Sequence, residues 1–247
     1  MKFNTAVKLM LAALLWCASQ AGMAGTLSGS RHDFSSKNWG STTDSAKNSN
    51  GKICVVCHTP HNSDISAGAY APLWNHAAST TTTYTSLYAS ATMKATVGQP
   101  GPTSKLCLSC HDGTVALDSF AGNTGSTLIS ASGFKAGSNL GTALNNDHPI
   151  GIVYDASVAT VGGPNYNVTL ANPDAVSVTI GSGSTVKTGL ISATMLYPPS
   201  ANAPKQVECS SCHDVHNTFV ADATPGTGMV KMAGSGTNAL CTSCHLK

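Results

Sequence analysis

The chain repeats one five-residue pattern four times: Cys54-x-x-Cys57-His58, Cys107-x-x-Cys110-His111, Cys209-x-x-Cys212-His213 and Cys241-x-x-Cys244-His245. Two cysteines three positions apart stand on one side of a helical turn with ~5–6 Å between their Cβ atoms, so both sulfurs can reach the two vinyl groups along one porphyrin edge. The histidine that follows swings toward the ring centre, where its Nε2 can bind iron from the proximal side. This is the pattern of covalent haem c attachment. Thioether bonds would hold each macrocycle permanently, so a chain with little apolar core could be organised around four large rings.

Other uses of paired cysteines fit less well. Cys-x-x-Cys units can make four-thiolate zinc sites, but such sites do not need histidine after the second cysteine, and here it follows all four pairs. A disulfide framework meets the same objection. A thioredoxin-like redox motif would not recur four times in surroundings rich in loops.

Five further histidines are candidates for the distal side of the irons: His32, His61, His76, His148 and His216. His61 and His216 each follow a proximal histidine by three residues. Three extended residues reach only ~10 Å, too little to pass round a porphyrin rim and meet the same iron from behind. Each is therefore expected to ligate a different haem, which clamps two macrocycles to one short backbone segment. His148 lies in Asp147-His148-Pro149, where the Asp147 carboxylate could hydrogen-bond the other ring nitrogen. His76 follows Pro72-Leu73-Trp74-Asn75, with a tryptophan suited to packing on a macrocycle. His32 stands near the expected mature N-terminus, a mobile place unless tied down, and is the candidate most able to reach another subunit. With histidines in surplus, Met93, Met195, Met229 and Met232 are expected to pack rather than to bind iron, and all-histidine ligation implies low potentials.

The elements that must position these residues are sparsely written. Only 10% of the 247 residues are charged and 6% aromatic, while cysteine and histidine number nine each. Residues 1–24 read as a Sec signal peptide, with Lys2 and Lys8 before an apolar run from Leu9 to Ala18 and small residues at Gly22 and Ala24. The segment is too short to span a bilayer, no later stretch reaches the ~18–20 apolar residues that spanning needs, and Cys17 inside it is read as incidental. Removing Lys2 and Lys8 from thirteen basic residues leaves eleven, equal to the acidic count, so no nucleic-acid footprint remains. Residues 25–247 form the single remaining domain. Alternation at Val176, Val178 and Ile180, then Gly181 to Ser184, then an apolar run from Val186 to Leu196, predicts a β-hairpin. Tyr84, Leu87, Tyr88 and Ala91 follow helical spacing, and Ser104 is placed to cap a short helix carrying the second motif. The expected class is a multihaem cytochrome c, mostly loop, with short helices at the haem-binding motifs and a small β element between haems 2 and 3.

With these residues on the page, the chain resembles the multihaem cytochromes with doubled Cys-x-x-Cys-His motifs, in particular the OmcE-like tetrahaem outer-surface cytochromes. The matching pieces are Cys54-Val-Val-Cys-His-Thr-Pro-His61, Pro72-Leu-Trp-Asn-His76, Leu106-Cys-Leu-Ser-Cys-His-Asp-Gly-Thr114, Asp147-His-Pro-Ile-Gly151, Glu208-Cys-Ser-Ser-Cys-His-Asp-Val-His216 and Leu240-Cys-Thr-Ser-Cys-His245. The region from Asp155 to Gln206 adds nothing recognisable. The resemblance implies an extracellular filament of subunits, haems stacked within and between them, and every iron six-coordinate with two histidines. It also implies a distal histidine borrowed from a neighbouring copy, a role that suits His32, although one of the five candidates must then be idle.

Taken together, the sequence predicts an electron-transfer protein rather than an enzyme, exported to the cell surface or outside it, exchanging electrons with donor and acceptor partners. A soluble periplasmic tetrahaem shuttle is the alternative within the same chemistry. A multihaem reductase would need an iron with an open coordination position, and here histidines suffice to close all four.

Overall fold

The structure is a computed structural model and describes residues 27–28, 30–35, 51–64, 72–91, 93, 95–131, 134, 137–160, 169–181, 186–198, 203–216, 229–231 and 239–246. The expected signal segment, Cys17, Met232 and most of the predicted hairpin turn lie outside the described residues.

Regular structure gathers where hydrogen-bond partners are local, and in this Gly-, Ser- and Pro-rich chain the elements are short. Strand β1 is Ser86–Leu87, helix α1 Pro102–His111, β2 Ala143–Leu144, β3 Ile152–Val153, α2 Ala156–Thr160 and β4 Thr169–Leu170. There follow β5 Ser177–Ile180, β6 Lys187–Leu190, α3 Ile191–Thr194, β7 Gln206–Val207, α4 Cys209–Cys212, α5 Ala239–Cys244 and β8 His245–Leu246. The second, third and fourth cysteine motifs thus ride on α1, α4 and α5. The first is a single turn closed by the His58 amide donating to the Cys54 carbonyl at 2.8 Å.

Helix α1 begins with Pro102, whose missing N–H costs nothing in a first turn. Ser104 does not cap it: Gly101 is the N-cap, with no side-chain cap bond. Ser104 lies inside the first turn instead, where its hydroxyl donates to the Glu208 carboxylate and accepts the Cys209 amide at 2.9 Å. Glu208 also receives the Gly101 amide at 3.1 Å on both oxygens. It is in turn the N-cap of α4, in a capping box closed by the Glu208 amide on the Ser211 hydroxyl at 2.9 Å. One buried carboxylate therefore joins the starts of two motif helices.

The helix expected around Tyr84 is absent. Gln99 takes both backbone groups of Tyr84, accepting its amide at 2.8 Å and donating to its carbonyl at 2.9 Å. With those groups occupied, the segment runs extended, and β1 pairs in parallel with β2. The predicted alternation does coincide with a strand. Val178 and Ile180 are buried and Ser177 and Thr179 exposed on β5, which pairs antiparallel with β6 from Ser177↔Leu190 to Ile180↔Lys187. The second apolar run does not stay extended to Leu196, because the Ile191 and Ser192 amides turn back onto the Val176 and Pro173 carbonyls, each at 3.0 Å, and start α3.

Apolar burial is divided among three small clusters. Tyr154, Val178, Ile180, Ile191 and Met195 form the largest, with Leu240 and Cys244 of α5 against it. Val56, Leu117, Phe120 and Ile129 form the second, on which Cys57 and Cys110 both pack. Tyr84, Leu108 and Leu144 form the third. Each cluster contains or touches a cysteine motif. Among the described residues no helix is long and apolar enough to cross a membrane.

Burial raises the Glu208 carboxyl above its ordinary value, against the opposing hydrogen bonds from Ser104 and Gly101. A carboxyl raised in the folded state favours folding most below its unfolded pKa, and that contribution is lost as pH rises through the folded pKa. Wild-type protein is therefore expected to lose stability, relative to Glu208→Gln, as pH rises from below the usual carboxylate range through Glu208's raised value. Melting temperatures of the two proteins over that window test this, and parallel curves would refute it.

Candidate metal-binding centres

The histidines are delivered by backbone pairings that the motifs alone do not reveal. His58 is bridged antiparallel to Trp74, with the Thr59 amide on the Leu73 carbonyl at 2.8 Å and the Asn75 amide on Cys57 at 3.0 Å. The His148 segment leads into β3, which pairs antiparallel with β7, the strand that runs straight into the third motif. His245 opens β8, which pairs antiparallel with β4.

Gly151 makes the second of these pairings possible. Its φ is +72°, and an added Cβ would lie 2.5 Å from the Gln99 carbonyl oxygen, so only glycine lets the His148 segment lie this close to Gly98 and Gln99.

Three imidazole pairs result. His32 and His111 have ring centroids 6.0 Å apart, His58 and His216 6.2 Å, and His148 and His245 6.3 Å. Face-to-face contact would bring parallel rings to ~3.5–4.0 Å; the 6.2 Å between His58 and His216, at an interplanar angle of 16°, is no stacking contact. Two imidazoles on opposite sides of one metal atom, each nitrogen ~2.0–2.1 Å from it, would hold their centroids about 6.2–6.4 Å apart. Interplanar angles of 16°, 52° and 79° do not conflict with this, since rings sharing a nitrogen–metal–nitrogen axis can rotate about it. The centroid spacing is compatible with one metal atom per pair, and for His148 and His245 with edge-to-face contact as well.

The second ring nitrogens fit as well. Nδ1 of His58 lies 2.9 Å from the Pro72 carbonyl oxygen, that of His111 2.7 Å from Ser138 and that of His148 3.1 Å from Pro149. A ring nitrogen facing a carbonyl must carry the proton, so Nε2 keeps its lone pair for a metal. His148 therefore uses the carbonyl of the next residue and not Asp147, whose Oδ2 is buried without a partner. His32 directs Nδ1 at the Met229 sulfur, 2.9 Å away. Burial, with the charges of His111, His213 and His216 adding to it, pushes the His32 imidazole down to about 4. Burial likewise lowers His111 and His245. Neutral rings are the ligating form.

The other two distal candidates are placed differently. His76 is 1% exposed, with Nδ1 2.8 Å from the Ala77 carbonyl and Nε2 3.1 Å from that of Ala116. Both nitrogens face oxygens, and the ring also packs against the Cys110 sulfur, 3.5 Å from Nε2. His61 is exposed, with its backbone amide and carbonyl held by the Thr59 hydroxyl. His213 ends α4, bridges to Val230, and lies within electrostatic reach of His32 and His111.

The eight motif cysteines are free thiols in the structure. Cys107 and Cys209 hydrogen-bond one another across α1 and α4, which raises the Cys107 thiol and lowers that of Cys209. Burial pushes Cys57 and Cys244 up to about 11 and Cys110 to about 12. Among the described residues no group of three or more His, Cys, Asp or Glu side chains is placed to hold a metal ion. Trp74 meets the His58 ring edge-on at 6.2 Å rather than standing free for a macrocycle beside His76.

Sequence reading missed Glu208, Gln99 and the carbonyls that fix the rings. Of these only Glu208 left a signal, as an acidic N-cap three residues before Ser211. No protein-family model matches the chain, and no curated protein matches it in sequence.

Gly151→Ala is expected to cost ~1–3 kcal/mol through left-handed strain and the clash with Gln99. Denaturant unfolding would measure the loss, and an unchanged midpoint would show that the His148 segment is not held as described.

Proposed function

We propose that the chain is a tetrahaem c-type cytochrome that transfers electrons and transforms no substrate. The observation that carries this reading is the common 6.0–6.3 Å spacing of the His32–His111, His58–His216 and His148–His245 rings. In each pair one member is the histidine of a cysteine motif and the other is a distal candidate.

Bound haem iron would supply the one-electron change between ferrous and ferric states. The cysteines would hold the four macrocycles covalently. The three imidazole pairs would hold three of the irons, exclude exogenous ligands there and favour the ferric form, and His213 would hold the fourth. The Pro72, Ser138 and Pro149 carbonyls hold their rings in one tautomer. The bonded contact of Cys107 with Cys209, and the packing of Cys57 and Cys110 on one cluster, support close approach of neighbouring haems.

The protein is proposed to act after export, as a polymerised extracellular conduit handing electrons to an external acceptor. His32 stands beside His111 of its own chain, which does not favour it as a ligand lent to another copy. The exposed His61 is better placed for that role, and the enclosed His76 is the idle member of the five.

Expression with cytochrome c maturation should add four haem masses to the polypeptide, and the reduced protein should bind almost no carbon monoxide. A product with bare polypeptide mass would end the proposal, and strong carbon monoxide binding would favour a reductase. His216→Ala should keep four haems and create one carbon monoxide site. His61→Ala should abolish filaments in electron micrographs without lowering haem content, while His76→Gln should leave both unchanged; filaments from His61→Ala would remove that histidine from the interface.

A further inference from the structure

His32 differs from His58, His111 and His148 in what holds its second nitrogen. His58, His111 and His148 each give Nδ1–H to a backbone carbonyl, a strong acceptor that increases the ring's electron donation through Nε2. His32 gives its own to the thioether of Met229 at 2.9 Å, and a thioether sulfur is a weak acceptor.

The sulfur is held there by the third motif. The Met229 carbonyl accepts the Asp214 amide at 2.8 Å, Val230 bridges His213, and the Lys231 amide donates to the Cys212 carbonyl at 2.7 Å. Lys231 is buried and its ammonium bonds the Tyr197 hydroxyl and the Ser210 carbonyl, both at 2.7 Å. Met229 itself is 6% exposed and adopts φ +54°, a left-handed conformation that a side chain with a Cβ resists. An unfavourable backbone angle at a residue whose backbone is pinned to the third motif, with its side chain directed at an imidazole, marks an imposed position.

We infer that Met229 is a positioning residue for His32: its thioether accepts the Nδ1–H hydrogen bond, fixes the ring and leaves the His32–His111 centre with a higher affinity for electrons than a carbonyl acceptor on His32 would. The inference rests on the haem reading above. It also makes the third motif a determinant of the second motif's centre, since the segment that carries the sulfur is paired to Cys212–Asp214.

The test compares the midpoint potentials of matured wild type, Met229→Leu and Met229→Gln, with haem content measured by mass. Leucine removes the acceptor, and one of the four potentials should rise. Glutamine offers a carbonyl oxygen, and the same potential should fall while the other three stay in place. Four bound haems with no shift in either variant would overturn the inference and leave the cytochrome reading intact. Loss of haem in both variants would reduce Met229 to a packing residue and overturn it too. A thioether-to-ferric-iron charge-transfer band in the wild type, lost in both variants, would put Met229 on the metal itself and equally refute it. Wild type without haem would instead defeat the underlying reading.

Discussion

The spacing of imidazole rings in pairs is the constraint on which the arrangement depends. Rings about 6 Å apart are too far for face contact and too near to admit much more than one atom between their nitrogens. The same separation occurs between three unrelated pairs of segments: 32 with 111, 58 with 216, and 148 with 245. On the proposed reading, a shared distance without a shared backbone geometry reflects a shared occupant.

Around those pairs the protein builds little else. Among the described residues the apolar side chains are spread over three clusters, and each lies against a cysteine motif. Polar joints do the connecting. Glu208 ties the starts of α1 and α4 through Gly101 and Ser104, and Asp112 gathers Ser79, Tyr84 and Thr114. Burial works against the Asp112 carboxylate, but those hydrogen bonds outweigh it and keep its pKa low. Burying a carboxylate is costly unless its oxygens are satisfied, so each such joint fixes direction as well as distance. On the proposed reading this suits a protein whose volume is supplied largely by macrocycles.

The stretch between the second and third motifs shows how an uninformative sequence can still carry structure. Asp155 to Gln206 contributes no cofactor-binding pattern, yet β4 within it pairs with β8 and sets the backbone at His245. The hairpin β5–β6 and α3 supply most of the largest cluster, against which Cys244 packs. This segment acts as a scaffold for the fourth motif.

What could be read from sequence was what depends on neighbours along the chain. The four motifs, the five spare histidines and the argument that His216 must serve a different centre from His213 follow from spacing and from the reach of three residues. The alternation of Val178 and Ile180 likewise reported a local period. Tertiary structure decided what depends on partners far away in the chain. The helical spacing at Tyr84 was overruled by Gln99, which claims the backbone groups a helix would need. The pairing of His32 with His111 and the enclosure of His76 could not be foreseen, because each is fixed by backbone from another segment, and a carbonyl leaves no trace in residue identity. Type and spacing pointed to the proposed chemistry; which imidazole meets which was set by long-range strand pairing and by buried carboxylates that only the folded chain brings into place.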